Sequence, residues 1–302
     1  MNGAASTLYG SGAATGVINI KLKKASYKDI SLNYQTSIGT NNSQEDSKMN
    51  FNDFNQNVSV NGTLNKFNYL ATVNTSKIDG LSDASNKNSS ETFEKDQFKA
   101  TNYFLRLGYN FNKNLNTQVF GNFDKDVYDY DAGAFSDSDI NNGENKQQRF
   151  GITTNFNYTK GSLILTASYN KNERIINSFN SWTNTTDIFE YTGKTYVVDV
   201  VNNYKVSNEF QLISGVNYQK QSNLTNSPYG NIDEDIANYE TVDPYLTAIY
   251  NSGFGLNLNA GARLNNHSEY GNHFVYNLAL FLLTHCFPVS NPDYLRVPNT
   301  DH

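Results

Sequence analysis

From residue 28 onward the chain repeats one pattern: apolar and polar side chains alternate over stretches of about ten residues. Within 149–158, Phe150, Ile152, Phe156 and Tyr158 share one face with Thr154, opposite Gly151, Thr153, Asn155 and Asn157. Within 256–265, Leu256, Leu258, Ala260, Ala262 and Leu264 stand against Asn257, Asn259, Gly261, Arg263 and Asn265. Tyr103, Leu105, Leu107, Tyr109 and Phe111 share a face, as do Phe210, Leu212, Val216 and Tyr218. A period of two marks strands with one apolar face, since a helix repeats about every 3.6 residues. About twelve strands are expected, near 28–38, 55–64, 67–77, 102–111, 115–124, 148–158, 163–173, 196–206, 209–221, 244–251, 256–265 and 273–279. Several approach the roughly 9–11 residues of a tilted membrane strand rather than the roughly 5–6 of soluble sheets.

The connections carry a second pattern. Asn65-Lys66, Asn112–Asn114, Thr159–Ser162, Ser207-Asn208 and Ser252–Gly255 read as tight turns. Between them lie long polar segments at 39–54, 78–101, 125–147, 174–195 and 222–243, so short and long connections alternate. A transmembrane barrel has this asymmetry, because one end only reverses the chain while the other meets ligands. A soluble sandwich also alternates apolar with polar, but has less reason to collect its long loops at one end.

Composition narrows the class further. No run reaches the roughly 18 apolar residues of a membrane helix, which leaves a barrel open. The polar face is rich in Asn, Gln, Thr and Gly rather than the dense Lys and Glu of a soluble surface. Aromatics recur near strand ends, as at Tyr103 and Phe111 or Phe150 and Tyr158. The single cysteine, Cys286, excludes an internal disulfide framework, and a net charge of -6 argues against a nucleic-acid partner.

Residues 3–24 differ from all that follows. Gly10, Gly12 and Gly16 open backbone conformations closed to other residues, Val17, Ile18 and Ile20 favour a strand, and Lys21, Lys23 and Lys24 mark its wet end. A dinucleotide loop at Gly10-Ser-Gly12 would need a strand before it and a helix after it, whereas a strand follows here and no βαβ pattern continues. With Gly3, Tyr9, Gly10, Gly12, Gly16 and Asn19, the segment resembles the end of the plug domain in TonB-dependent outer-membrane receptors. A second, less specific resemblance lies at 261–276, where that family carries a mid-barrel strand–loop–strand passage with Gly and Arg on the strand. Together the two bracket residues 3–277.

The resemblance implies an all-β fold: a partial antiparallel transmembrane β-barrel of about twelve strands with a short plug remnant at its N-terminus. It implies residues 1–25 as the plug end, 26–277 as the first part of the barrel, and 278–302 as an atypical tail. Met1-Asn2 leads into Gly3 without the basic region and apolar core of a secretory signal. The expectation is therefore a piece of a receptor that lacks the signal, the TonB box and most of the plug, and holds about twelve of about 22 barrel strands. The implied parent sits in the outer membrane of a Gram-negative bacterium, contacts its lipid, draws energy from the TonB complex, and imports cobalamin or a ferric siderophore. The piece alone, with open edges that lipid cannot satisfy, is expected not to transport. A passive porin and a secreted β-sandwich adhesin are the rival readings.

Two groups of residues are candidates for chemistry. Asp124, Asp126, Asp129, Asp131, Asp137 and Asp139 crowd into one expected loop with Tyr128 and Tyr130, and hard carboxylate oxygens at short spacing suit Ca²⁺. The spacing lacks the central Gly and terminal Glu of an EF-hand, and acidic loops are commonly just solvated. His267, Ser268, Glu269 and His273 come without a nucleophile elbow or metal-ligand spacing, so they read as a polar turn and no catalytic residue is assigned. From Leu278 the alternation is expected to stop, with the apolar run 278–283, Cys286 and three of the five prolines suggesting non-native sequence such as a shifted reading frame.

Overall fold

The computed structural model describes residue 7 and residues 26–41, 50–85 and 93–282. Gly3, Tyr9, Gly10, Gly12, Gly16 and Asn19, and the tail from 283 onward, lie outside the described residues. Twelve strands follow one another: β1 (Ser31–Gly39), β2 (Asp53–Leu64), β3 (Phe67–Ile78), β4 (Phe98–Asn110), β5 (Leu115–Asp129), β6 (Asn142–Tyr158), β7 (Gly161–Asn180), β8 (Thr185–Lys205), β9 (Phe210–Asn226), β10 (Asn238–Asn251), β11 (Leu256–His267) and β12 (Gly271–Leu282). They form a single 12-stranded sheet in sequence order, with each strand antiparallel to the next. β1 and β12 are its two edges and do not pair with each other, so the barrel is left open.

One face of this sheet is apolar and uncovered. Leu105 is 47% exposed, Phe150 54%, Val216 45% and Leu246 50%. Among the described residues the only buried hydrophobics are Ala84 and Tyr245. The accessible surface is 21111 Å², whereas a compact protein of 33.9 kDa exposes about 12,800 Å². A sandwich would have closed a second sheet over this face. Here the apolar side chains stand alone and need hydrocarbon as their solvent.

All connections at one end are tight. Asn65 takes a φ of 55° to reverse β2 into β3. The Asn112 side chain accepts hydrogen bonds from the Asn114 and Leu115 amides, and Ser207 Oγ does the same for Glu209 and Phe210. At the opposite end lie the longer loops 40–52, 79–97, 130–141 and 227–237.

The structure differs from the sequence expectation in three places. The segment 174–195 is not a long loop. It is the end of a hairpin in which β7 and β8 stay paired from Gly161↔Tyr204 to Asn180↔Thr185, turning at 181–184. Beyond the membrane both faces of a strand meet water, so alternation fades while backbone pairing continues. The same effect places Asp124, Asp126 and Asp129 on β5 rather than in a loop. Strand pairing also continues past Leu278, where the apolar–polar alternation stops: β12 pairs with β11 as far as Leu256↔Leu282, with Leu278 and Leu280 opposite the apolar Ala260 and Leu258. An open barrel edge admits the extra apolar side chains between them.

Candidate functional site

Two aromatic rows bound the apolar belt. On one side, Tyr158 stacks with Tyr204 at 6.5 Å, and Tyr109 meets Phe111 edge-on at 4.9 Å. On the other, Tyr103 lies 6.4 Å from Phe123 and Tyr169 lies 4.7 Å from Tyr196. On β7 the distance between the rows is the run from Gly161 to Tyr169, which matches the roughly 9–11 residues of a membrane crossing. Immediately past the second row the same face becomes charged. Lys125 pairs with Glu144 at 2.8 Å, Lys171 with Glu173 at 2.7 Å, and Lys220 with Glu240 at 2.6 Å. Apolar band, aromatic girdle and charge follow in the order of hydrocarbon, interface and water.

A hollow of about 670 Å³ opens on this belt between Leu105, Leu107, Val119, Phe150 and Ile152. It arises because Gly121 and Ala167 are smaller than their neighbours on the apolar face, and it holds almost no polar group to orient a ligand.

The opposite face is an amide ladder. Asn57 bonds to Asn74, and Asn102 Nδ2 donates to Asp124 Oδ1 at 2.8 Å. Asn145 Nδ2 donates to Asp126 at 2.7 Å. Near β10 and β11 this face becomes buried. Arg263 pairs with Asp243 at 2.7 Å, donates from Nε to Asn265 at 2.9 Å, and lies 5.5 Å from the Tyr245 ring centroid.

At the long-loop end, loops 79–97 and 130–141 meet in a carboxylate cluster. Asp131 accepts hydrogen bonds from the Ala84 amide at 2.5 Å, the Ser82 hydroxyl at 2.9 Å and the Ser138 amide at 3.0 Å. Burial pushes its carboxyl up, but these donors outweigh it and hold the group below the ordinary range. Glu94, Asp96 and Asp131 each bring a carboxylate oxygen within 4.8 Å of the others. Glu94 Oε1, Asp96 Oδ1 and Asp137 Oδ1 are buried without a hydrogen-bond partner. Two ionised carboxylates facing each other are both acceptors, so Glu94 and Asp137 can bond only when one carries a proton. That contact with Asp137, aided by burial, raises Glu94 to about 7, and burial also raises Asp96.

Of the six aspartates weighed from sequence, only Asp131 and Asp137 enter this cluster. Asp124 and Asp126 are held by neighbouring amides on the polar face. Asp129 closes β5, and Asp139 is exposed in the loop. Glu94 and Asp96 were missed because the register Phe98↔Tyr128 alone brings residues so distant in sequence beside Asp131. His267 sits between Tyr239 and Tyr270, 4.7 Å from each ring, and accepts the Glu269 and Tyr270 amides at an exposed turn. That is a turn cap.

No family model and no curated protein matches the chain. Solved structures do. The ferric enterobactin receptor PfeA of Pseudomonas aeruginosa superposes with a TM-score of 0.72 at 16% identity, covering 94% of this chain and 46% of PfeA. The fold is that of a TonB-dependent receptor barrel. The siderophore receptor PirA of Acinetobacter baumannii gives 0.69 at 17% identity, covering 94% of this chain and 45% of PirA. The copper transporter OprC gives 0.68 at 12%, covering 93% and 46%. The chain thus spans less than half the length of each. In a TonB-dependent receptor barrel the apolar face meets lipid, the amide ladder lines the lumen, and the loops 79–97, 130–141 and 227–237 share one rim.

Proposed function

We propose that this chain is the plug end and leading barrel half of an outer-membrane receptor that imports a bulky nutrient with energy from the TonB complex. The observation that carries this reading is the apolar belt between two aromatic girdles on the sheet of a chain that matches such receptors over 94% of its residues. The named relatives are receptors for ferric enterobactin and other siderophores and a copper transporter. Their company favours a ferric siderophore over cobalamin as the parent's ligand. Residues 1–25 are assigned as the plug end and 278–302 as the tail, whose residues 278–282 belong to β12.

With β1 and β12 unpaired, the chain by itself exposes two rows of backbone donors and acceptors to lipid. It is therefore not transport-competent alone. Radiolabelled ferric siderophore and cobalamin uptake, measured in receptor-deleted cells, tests both points. The parent gene should restore uptake of one ligand, and this chain should restore neither. Uptake by the chain alone would refute the second claim, and failure of the parent with both ligands the first.

The calcium reading moves to Asp131 and Asp137 with Glu94 and Asp96, favoured by the unpartnered carboxylate oxygens of Glu94, Asp96 and Asp137 and by the approach of Glu94, Asp96 and Asp131 to one another. Calorimetric titration of the folded chain with Ca²⁺ should give a binding isotherm that Asp131→Asn abolishes, and a flat titration removes the idea.

A further inference from the structure

The apolar face of the sheet carries more than its belt. Beyond the girdle at the long-loop end, every strand from β3 to β9 places a lysine on this face: Lys77, Lys99, Lys125, Lys146, Lys171, Lys194 and Lys220. Each keeps the two-residue step of the belt on its own strand, as Lys99 does with Tyr103 and Leu105, and Lys125 with Phe123. The register sets six of them face to face, because Lys77↔Lys99, Lys125↔Lys146 and Lys171↔Lys194 are direct cross-strand partners. Like charges so placed repel across a Cβ separation of about 5 Å. At the other end Lys66, Lys113 and Lys160 stand one to a turn, and Lys205 faces Gln211.

Glutamates relieve only part of this row. On β7 to β9 they match one to one: Lys171 pairs with Glu173 at 2.7 Å, Lys194 with Glu234 at 2.5 Å and Lys220 with Glu240 at 2.6 Å. On β3 to β6 the balance is different. Lys125 and Lys146 share Glu144, while Lys77 and Lys99 are exposed and form no ion pair among the described residues. The next carboxylates outward, Asp79 and Asp129, pair with neither. Four lysines thus share one carboxylate across four neighbouring strands, a width of about 14 Å.

We infer that Lys77, Lys99, Lys125 and Lys146 form a docking site for phosphate-bearing anionic lipid headgroups. The inference rests on the reading that the apolar belt lies in a membrane. Lipid is the occupant because the site continues the belt. Lys125 follows Phe123 by two residues, about 7 Å along the strand. The apolar hollow between Leu105, Val119 and Phe150 lies on the same strands, β4 to β6, where an acyl chain lies when its headgroup meets the lysines. A phosphate presents several anionic oxygens there. It accepts from two facing ammoniums at once and turns the repulsion of Lys77 and Lys99 into attraction. Lysine suits the depth, since its stem lies along apolar surface while its ammonium reaches the interface.

Spin-labelled lipids read this contact directly. The full chain in phosphatidylcholine vesicles, followed by electron spin resonance, should hold labelled phosphatidic acid about fivefold or more over labelled phosphatidylcholine at its boundary. Lys77→Gln with Lys99→Gln should lower that preference about threefold or more. Lys66→Gln with Lys113→Gln, the same charge change at the turn end, should leave it unchanged. High sodium chloride should weaken the preference, and inorganic phosphate at equal ionic strength should do no more. Equal retention of the two labelled lipids overturns the site, as does a preference that survives in the Lys77 and Lys99 variant or vanishes in the turn-end control. A loss specific to inorganic phosphate assigns the row to the free anion and overturns the lipid. Should the double variant not insert, the unaltered chain decides: a salt-sensitive preference supports the site and its absence refutes it. Immobilised lipid without headgroup preference keeps the belt and removes the site, whereas no immobilised lipid at all removes both.

Discussion

Removing one partner of the Arg263–Asp243 pair should cost far more than removing both. The two side chains are 5% and 10% exposed and 2.7 Å apart, so Asp243→Ala leaves a guanidinium buried beside the Tyr245 ring. Breaking a buried pair from one side costs about 3–5 kcal/mol. Here the lower end applies, because Arg263 keeps its bond to Asn265 at 2.9 Å. Asp243 also accepts the Asn266 amide at 3.2 Å, and losing that bond adds roughly 1 kcal/mol. The expected loss is therefore about 4 kcal/mol for Asp243→Ala and about 3 kcal/mol for Arg263→Met. The double variant Asp243→Val with Arg263→Met should cost no more than about 2 kcal/mol, since no charge remains unpaired. Urea unfolding of the chain in lipid vesicles, followed by tryptophan fluorescence and by heat-dependent gel mobility, supplies the cycle. If the double variant loses the sum of the two singles, the pair carries no coupling and the claim that this patch is truly dry fails.

Other consequences follow from the same geometry. Glu94 holds a proton in the folded loop that the unfolded chain releases near its ordinary 4.5, so its stabilisation is complete below about 4.5 and lost as pH rises through about 7. Exchange in loops 79–97 and 130–141, corrected for intrinsic rates, should therefore be faster at pH 8 than at pH 6, and Glu94→Gln should remove the difference. Leu165, midway between the aromatic rows, should lose about 2–4 kcal/mol of stability in vesicles on mutation to Arg. Thr166→Arg on the lumen side should stay within about 0.5 kcal/mol, and equal losses at the two positions would reverse the assignment of faces. A Cβ at Gly151 would meet the Phe120 ring at 2.4 Å, so Gly151→Val should destabilise by about 1–3 kcal/mol in the same unfolding assay.

Much of the barrel was legible because its physics is local. Leu256, Leu258, Ala260 and Ala262 announce a strand through spacing alone, and the turn residues Asn112 and Ser207 cap their own hairpins within a few positions. The hairpin at 174–195 was misread for the converse reason. Its side chains face water on both sides, so nothing in their polarity reports that the backbone is paired. Alternation ends at Leu278, yet β12 runs on to Leu282, because an edge strand tolerates apolar residues on both faces.

The sequence by itself therefore determined strand count, apolar face and the end of the sheet that carries the longer loops. Those properties depend on side-chain alternation and on turn chemistry within a few residues. Only the tertiary structure decided which acidic groups meet, since Glu94 and Asp131 come together through the β4–β5 register. It alone also brought Thr7 to Asn277 and sealed Arg263 against Asp243. Contacts of that kind depend on the summed register and curvature of many strands, which no local spacing encodes.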